Sequence, residues 1–324
     1  MKIAVYSIAL NEAKHVERWA GSAAAAEYRL VGDTGSTDGT PEMLRASGVE
    51  VHDIRIRPWR FDDARNAALS LLPADADICV SLDLDRFLLP DWRGAVESAW
   101  KDDVDRLYHR YSVRFDEAGK TLWTTRGSCI HARFGYRWFR RVHEDVRKLG
   151  GEERPAWVEQ DIIGHLPDRE KPRNYLPLLE EEHRDNPEDP LILYNLARDL
   201  LFDRQHEKSL QGFKQYLQLP RAKWPAERSQ AMIYLAKLDQ KNQTEWLLRA
   251  HAEAPTRREV CFCLAERYLQ LSDWAGVFWA ARSGLANAVR TGSHLDVEYA
   301  WGPRLGELAA LAGERLGLTP GAGG

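Results

Sequence analysis

The sequence predicts an α/β domain with a mainly parallel sheet, followed by an all-α domain of helical repeats. Short apolar runs of strand length alternate with segments of helical periodicity, and the runs end in acidic or polar residues. After Pro190 helical periodicity is nearly continuous, and a pattern of small and large residues recurs as in tetratricopeptide-like repeats. The predicted boundaries are 1–170 for the α/β domain, 171–189 for a linker or lid, 190–318 for the helical domain and 319–324 for a flexible tail.

Four strands and their intervening helices are expected in the first part of the α/β domain. The strands cover 3–8, 28–31, 49–54 and 78–82. This alternation is typical of a doubly wound, Rossmann-like parallel sheet, where ligands collect at the carboxyl ends of the strands. Residues 106–125 alternate apolar and polar positions around a glycine turn, which predicts an antiparallel hairpin added to that sheet.

Composition narrows the class of protein. A chain of 324 residues suits about two domains, and its formal charge of −4 gives no support to a generally nucleic-acid-binding protein. No apolar stretch approaches the roughly 18 residues that span a bilayer, and the amino terminus becomes polar too early for a signal peptide. The four cysteines form no CxxC pair and no zinc-site spacing. We therefore expect a cytoplasmic protein with reduced thiols and no membrane span.

Two carboxylates, Asp83 and Asp85, directly follow the fourth predicted strand. Mg²⁺ and Mn²⁺ prefer oxygen ligands, and Mg²⁺ is commonly bound through few carboxylates together with phosphate oxygens. Such a cation would neutralise the charge that develops on a nucleoside diphosphate leaving group. No GxGxxG loop follows the first strand and no Walker A motif occurs, so the acidic strand ends would have to hold the nucleotide. A solvated turn is the alternative for any isolated carboxylate pair.

Further motifs occur in a fixed order along the chain: Asn11-Glu12, Asp33-Thr34-Gly35-Ser36-Thr37-Asp38, Trp59, Ala64-Arg65-Asn66, Asp83-Leu84-Asp85, Val142-His143-Glu144 and Ile162-Ile163-Gly164-His165. Over about residues 2–220 they resemble the family 2 glycosyltransferases of GT-A fold. The helical region that follows resembles the subgroup with C-terminal tetratricopeptide repeats, which includes bacteriocin-peptide and lipopolysaccharide-core glycosyltransferases. The resemblance implies a UDP-sugar donor, Mn²⁺ or Mg²⁺, and inversion at the anomeric carbon.

The resemblance also implies roles on the donor side. Asp33 would accept a hydrogen bond from the donor base, which favours uracil; its alternative role is turn formation alone. Arg65 matches a base- or phosphate-contacting arginine, the alternative being a surface helix residue. Asn11 and Glu12 would contact the donor or cap the first helix. Asp85 is expected to coordinate the metal, and Asp83 to contact the ribose or a metal-bound water.

The acceptor side needs a base, because the attacking oxygen or sulfur loses a proton during transfer. Motif order makes Glu144 the first candidate for this catalytic base and Asp145 the second. His165 would complete the metal shell with Asp85 and Asp83, or touch the diphosphate, or be structural. The sequence does not choose between His143 and His165 as a metal ligand.

Basic residues flank the predicted site. Arg86 stands where the family often has an acidic residue after the DxD motif, and Arg141 replaces the glycine that commonly precedes Val-His-Glu. Arg86 would lower the local negative charge and alter metal affinity or acceptor handling. Arg141 would place positive charge beside the acceptor site, which would suit an acidic peptide, a phosphorylated glycan or a nucleic-acid base. Arg169 and Lys171, together with Arg173, would either close over the diphosphate or belong to a solvated linker.

The leading hypothesis is a metal-dependent inverting glycosyltransferase that moves a hexose from a UDP-sugar to a nucleophilic acceptor. The acceptor stays open between a peptide or protein side chain, a glycan or lipopolysaccharide sugar, and a hydroxymethylated DNA base. A nucleotidyltransferase is one alternative, although the expected glycine- and lysine-rich loop is missing. A non-catalytic helical-repeat scaffold with a degenerate transferase domain is another. The helical domain would recruit the acceptor or form a homodimer.

Overall fold

The computed structural model of the chain describes residues 1–166, 174–291 and 293–318. The chain forms two compact units, Met1–Asn174 and Tyr175–Gly324. The first unit is α/β and the second is helical, which confirms the predicted fold class. Helix α5 (Leu176–Asp185) lies within the predicted linker of 171–189. The predicted tail, 319–324, lies outside the described residues.

The first unit contains ten strands and four helices in its described part. The strands are β1 (Ile3–Ala9), β2 (Tyr28–Asp33), β3 (Glu50–Asp53), β4 (Ile78–Ser81), β5 (Arg86–Leu88), β6 (Arg106–Phe115), β7 (Thr121–Ala132), β8 (Tyr136–Phe139), β9 (Asp145–Lys148) and β10 (Pro155–His165). The helices are α1 (Ala13–Ser22), α2 (Thr40–Ala46), α3 (Phe61–Leu71) and α4 (Trp92–Ala99).

Eight of these strands form one sheet in the order β3-β2-β1-β4-β7-β6-β10-β5. Strands β3, β2, β1 and β4 run parallel to one another. The predicted hairpin is confirmed: β6 and β7 pair antiparallel, and β7 joins the sheet beside β4. Strand β10 then pairs parallel with β6 and antiparallel with β5. Strands β8 and β9 form a separate antiparallel pair.

Helices cover both faces of the parallel part of this sheet, as a continuous apolar strand requires. On one face Val5 and Val80 pack in a buried cluster with Trp19 of α1. On the other face Tyr6 packs in a cluster that includes Leu69 of α3. Because β1 and β4 are buried on both sides, their carboxyl ends are held rigidly at the sheet edge where the predicted site lies.

The second unit is built from helices α5, α6 (Pro190–Phe202), α7 (His206–Gln218), α8 (Pro225–Leu238), α9 (Gln243–Glu253), α10 (Arg258–Gln270), α11 (Trp274–Ala286) and α12 (Arg304–Arg315), with 3-10 turns at Gln240–Asn242 and Glu298–Trp301. Consecutive helices pack in pairs, α6 with α7, α8 with α9 and α10 with α11, and α12 packs on α11. Asp189 caps α6 and Asp273 caps α11 with their carboxylates. Within the part of the chain that the structure describes, no helix is both long and apolar enough to cross a membrane.

Candidate active site

The loop after β2 is organised around Asp33, the last residue of that strand. The carboxylate oxygen Oδ2 accepts hydrogen bonds from the backbone N–H groups of Gly35 (3.0 Å) and Ser36 (2.9 Å). Gly35 has φ +115°, a conformation that L side chains rarely adopt, so the turn needs glycine there. The other oxygen of Asp33, Oδ1, is buried and has no hydrogen-bond partner among the described residues. Oδ2 of Asp33 therefore holds the turn, and Oδ1 is a buried acceptor that has no donor within the described part of the chain.

Asn11 and Glu12 connect the loop after β1 to this turn. The side-chain oxygen of Asn11 accepts from the backbone N–H of Thr37 at 2.8 Å. The backbone N–H of Glu12 donates to the hydroxyl of Thr40 at 2.8 Å. Glu12 occupies the N-cap position of α1, but its side chain makes no capping hydrogen bond. The capping alternative is therefore wrong for Glu12, and donor contact by either residue stays a prediction.

Asp83 lies just beyond β4 between two guanidinium groups. Its Oδ1 is 2.8 Å from Nη2 of Arg65, and its Oδ2 is 3.5 Å from Nη2 of Arg86. Burial alone would raise the pKa of Asp83, but the charges of Arg65 and Arg86 outweigh burial and hold the pKa well below its usual range. The carboxylate is therefore ionised and committed to arginine partners.

Arg65 also reaches the predicted base. Its Nε donates to Oε1 of Glu144 at 2.6 Å. The two side chains are only 11% and 12% exposed, so the pair lies largely out of water, where charges interact more strongly than at the surface. One arginine on α3 thus brings the carboxylate after β4 and the carboxylate before β9 to the same place.

Arg65 rests on Trp138 of β8, with its guanidinium carbon 4.9 Å from the ring centroid. Asn66, the next residue of α3, exchanges two hydrogen bonds of 2.9 Å with the backbone N–H and carbonyl of Trp138. The indole N–H of Trp138 donates to the hydroxyl of Tyr6 at 2.8 Å. The Ala64-Arg65-Asn66 motif therefore ties α3 to β8 as well as placing Arg65.

The hydrogen-bond chain continues into the sheet at His131. Its Nδ1 lies 2.8 Å from the carbonyl oxygen of Ala132, which can only accept, so Nδ1 carries the proton. Its Nε2 then accepts from the hydroxyl of Tyr6 at 3.0 Å. Burial lowers the pKa of His131 to about 4 and keeps the ring neutral. Sequence reasoning missed this support because residue 6 is 125 positions from residue 131 and 132 positions from residue 138, and no sequence motif joins them.

Asp85, the second carboxylate of Asp83-Leu84-Asp85, lies beside His165. The Nε2 atom of His165 is 3.2 Å from Oδ2 of Asp85. Strand β10 pairs with β5 so that His165 stands opposite Arg86, and this register brings the histidine to the motif. The described residues include no group of three His, Cys, Asp or Glu side chains placed to hold a metal ion. The predicted ligands thus divide: Asp85 lies with His165, and Asp83 lies with the arginines.

The remaining predicted residues lie as follows. Asp145, the second candidate base, is paired with Arg140 at 2.6 Å and with Arg147 at 2.7 Å. His143 has a positive φ of 51° in the loop before β9. Arg169 and Lys171, named above for a basic lid, lie outside the described residues. Glu144 is therefore joined to the cluster around Asp83, whereas Asp145 is held by two other arginines.

Comparisons with known proteins give partial matches only. No family model matches the chain, and no curated protein matches it. A structure of MamA matches at 14% identity over 44% of this chain and 72% of that chain, with a TM-score of 0.34. Glucosyl-3-phosphoglycerate synthase from Mycobacterium tuberculosis, in complex with Mn²⁺, UDP-glucose and phosphoglyceric acid, matches at 24% identity over 34% and 44%, with a TM-score of 0.29. TarS from S. aureus matches at 13% identity over 78% and 53%, with a TM-score of 0.39. Identities and TM-scores this low do not establish a function for the chain.

Proposed function

We propose that this chain is a glycosyltransferase that uses a nucleotide-sugar donor, and that it is an inverting enzyme of family 2 and GT-A fold acting on a UDP-hexose. The observation that carries the proposal is the convergence on Arg65 of Asp83 and Glu144, at 2.8 and 2.6 Å. Donor-side and acceptor-side carboxylates are the two chemical elements that inverting sugar transfer needs, and here a single, largely buried arginine joins them.

Asp33 supports a uracil-containing donor. Its buried oxygen Oδ1 has no hydrogen-bond partner in the described chain, although a buried acceptor normally has one. The imide N–H of uracil is a donor of the required kind. Asp33 also ends β2, one strand away from β1 and two from β4, so a base held there would lie along the strand ends.

Asp85 and His165 fit a divalent cation. Carboxylate oxygen suits Mn²⁺ and Mg²⁺ alike, and imidazole nitrogen favours the transition metal, so the pair favours Mn²⁺. Two protein ligands suffice where diphosphate oxygens and water supply the rest. Such a cation would stabilise the negative charge of the departing nucleoside diphosphate. Asn11 and Glu12 in the first loop are proposed as further donor contacts.

Glu144 is proposed as the catalytic base, and Arg65 holds its carboxylate in place. A base must lie within hydrogen-bond reach of the acceptor nucleophile, and a charged pair that is nearly buried fixes its position better than a solvated loop. Asp145 is the weaker candidate because Arg140 and Arg147 already bind its two oxygens. We propose the helical unit as the part of the chain that engages a peptide, protein or glycan acceptor.

The test is to incubate the protein with a panel of nucleotide sugars and Mn²⁺, without acceptor, and to measure the release of nucleoside diphosphate. We expect slow hydrolysis of a UDP-hexose and much less of GDP- or ADP-sugars. NMR of the product of a later transfer would report inversion as a change of anomeric configuration. Release of nucleoside diphosphate from no sugar nucleotide, or pyrophosphate from a nucleoside triphosphate, would contradict the proposal.

A further inference from the structure

We propose that Arg65 is a positioning residue that couples occupancy of the donor side to the acceptor-side carboxylate, by sharing one guanidinium between Asp83 and Glu144. The inference rests on the proposed function and adds to it a link between the two half-sites. Such a link makes the affinity for the nucleotide depend on the charge of Glu144. It also makes the strength of the Arg65–Glu144 pair depend on whether the nucleotide is bound.

The sharing follows from guanidinium chemistry. Arginine carries five N–H donors in one plane, so different edges can serve two carboxylates at once. Here Nη2 faces Asp83 and Nε faces Glu144, at distances typical of charge-assisted hydrogen bonds. A third contact, 3.5 Å from Nη1 to the hydroxyl of Ser81 on β4, faces the same strand end. One positive charge is thus divided between two negative ones.

The platform under Arg65 keeps it in this position. Its guanidinium lies over the indole of Trp138, and that indole is fixed by the hydroxyl of Tyr6. Asn66 holds the backbone of Trp138 from the same turn of α3. Arg65 therefore cannot follow one carboxylate without weakening its hold on the other, because its ring support and its helix fix the charge between them.

Asp83 is the partner whose hold can change. Its side chain is 32% exposed, whereas that of Glu144 is 12% exposed, and it has a second cation in Arg86. A nucleotide that engages Asp83 through the ribose or a metal-bound water would draw that carboxylate away from Arg65. Arg65 would then serve Glu144 more fully. By thermodynamic linkage, the factor by which nucleotide binding strengthens the Arg65–Glu144 pair is also the factor by which that pair strengthens nucleotide binding.

Replacement of Glu144 by glutamine is expected to weaken nucleotide binding. When Glu144 is replaced by glutamine, Arg65 loses an anionic partner and competes harder for Asp83. Engagement of Asp83 by the nucleotide then costs more, so binding weakens. Coupling free energies between sites commonly correspond to factors of about 5 to 150, and we expect the lower end, about fivefold.

The experiment is a double-mutant cycle on the full chain, with UDP and Mn²⁺ as the probe and calorimetry as the measurement. We compare the change in the dissociation constant caused by Glu144→Gln in the native chain with the change it causes in Arg65→Met. The proposal expects about fivefold weakening in the native chain and little change in Arg65→Met. Equal changes in the two backgrounds, or no change in either, would overturn it.

Two additions keep the result decisive. Glu153 pairs with the buried Arg106 at 3.0 Å, so Glu153→Gln is the same chemical change at another arginine, and it should leave UDP affinity unchanged. If Arg65→Met does not fold, Asp83→Asn removes the other end of the bridge and should abolish the effect of Glu144→Gln in the same way. If the native chain binds no UDP, the proposed function itself fails; if it binds UDP but the cycle is additive, only the coupling fails.

Discussion

Two arginines, the largely buried Arg65 in the first unit and the buried Arg257 in the second, form similar ion pairs with different roles. Arg65 is 11% exposed and faces the carboxylates of Asp83 and Glu144. Arg257 is 4% exposed and lies 3.5 Å from the carboxylate of Glu259. Both pairs lie largely out of water. An unpaired charge is strongly unfavourable in such a buried position. They differ in what else surrounds the guanidinium.

Arg257 binds neutral, fixed acceptors: the carbonyl oxygens of Ala226 (2.9 Å) and Leu295 (3.0 Å) and the amide oxygen of Gln230 (2.9 Å). Glu259 accepts from the backbone N–H of Val297 at 3.1 Å. These contacts hold the segment before α12 against α8 and α10. Arg257 is therefore a structural residue, whereas Arg65 holds two carboxylates at the edge of a sheet where a ligand can compete for them.

The largest expected difference is in sugar transfer. Glu144→Gln should reduce the rate of transfer by about 100-fold or more, because it removes the proposed base. Glu259→Gln, the matched change at the structural pair, should leave the rate constant of folded protein unchanged. The rate of UDP release in the presence of acceptor measures both. An equal loss in the two variants would remove the distinction drawn between the pairs.

The free energy of unfolding should show the opposite order, with the larger loss at the Arg257 pair. Arg257→Met leaves Glu259 buried without its cation and removes the donor of three hydrogen bonds, so we expect the second unit to lose about 3–5 kcal/mol of unfolding free energy. Arg65→Met should cost the first unit less, because Asp83 keeps Arg86 and because Glu144 is 12% exposed, against 2% for Glu259. Urea denaturation of each variant measures the loss. A larger loss in Arg65→Met would show that the Arg65 cluster is the more structural of the two.

The loss of stability in acid should report the ion pairs that Asp83 forms with Arg65 and Arg86. Its folded-state pKa lies below the unfolded value of about 3.9, so its pairing with Arg65 and Arg86 stabilises the fold above that pH. This contribution is lost as the pH falls through the lowered folded pKa. The difference in unfolding free energy between the native chain and Asp83→Asn should therefore shrink on acidification below about pH 4. A difference that stays constant from neutral pH to strong acid would contradict the pairing.

The smallest effect concerns His131, which accepts a hydrogen bond from Tyr6 and so supports Trp138 beneath Arg65. Burial lowers the pKa of His131 from 6.5 to about 4, so below pH 6.5 the unfolded chain binds a proton that the folded chain does not. Stability should fall between those two values, and His131→Gln should lack that part of the fall. His109, whose pKa burial also lowers to about 4, contributes the same trend and remains in the variant. Unfolding midpoints measured from pH 7 to pH 4.5 test this; an unchanged pH profile in His131→Gln would contradict a neutral buried ring.

The sequence predicted the strands that build the sheet edge, because an apolar run followed by a carboxylate is a local signal. Asp33 and Asp83 could be named for the same reason. The contacts that form the site are not local in sequence: Arg65 contacts Glu144, 79 positions away, and His165 contacts Asp85, 80 positions away. The β8–β9 pair was not predicted because its strands, Tyr136–Phe139 and Asp145–Lys148, are interrupted by charged residues and form no continuous apolar run. Arg65 was expected at the base or phosphate of the donor, and its position between two carboxylates needed the tertiary structure.

The central claim is that the sheet edge at Asp83-Leu84-Asp85 binds a nucleoside diphosphate with a divalent cation. The most direct measurement is calorimetric titration of UDP into the full chain, with and without Mn²⁺, and into Asp85→Ala. We expect saturable binding that requires Mn²⁺ and disappears in Asp85→Ala. Absence of UDP binding, or binding of equal strength without Mn²⁺ and in Asp85→Ala, would contradict it.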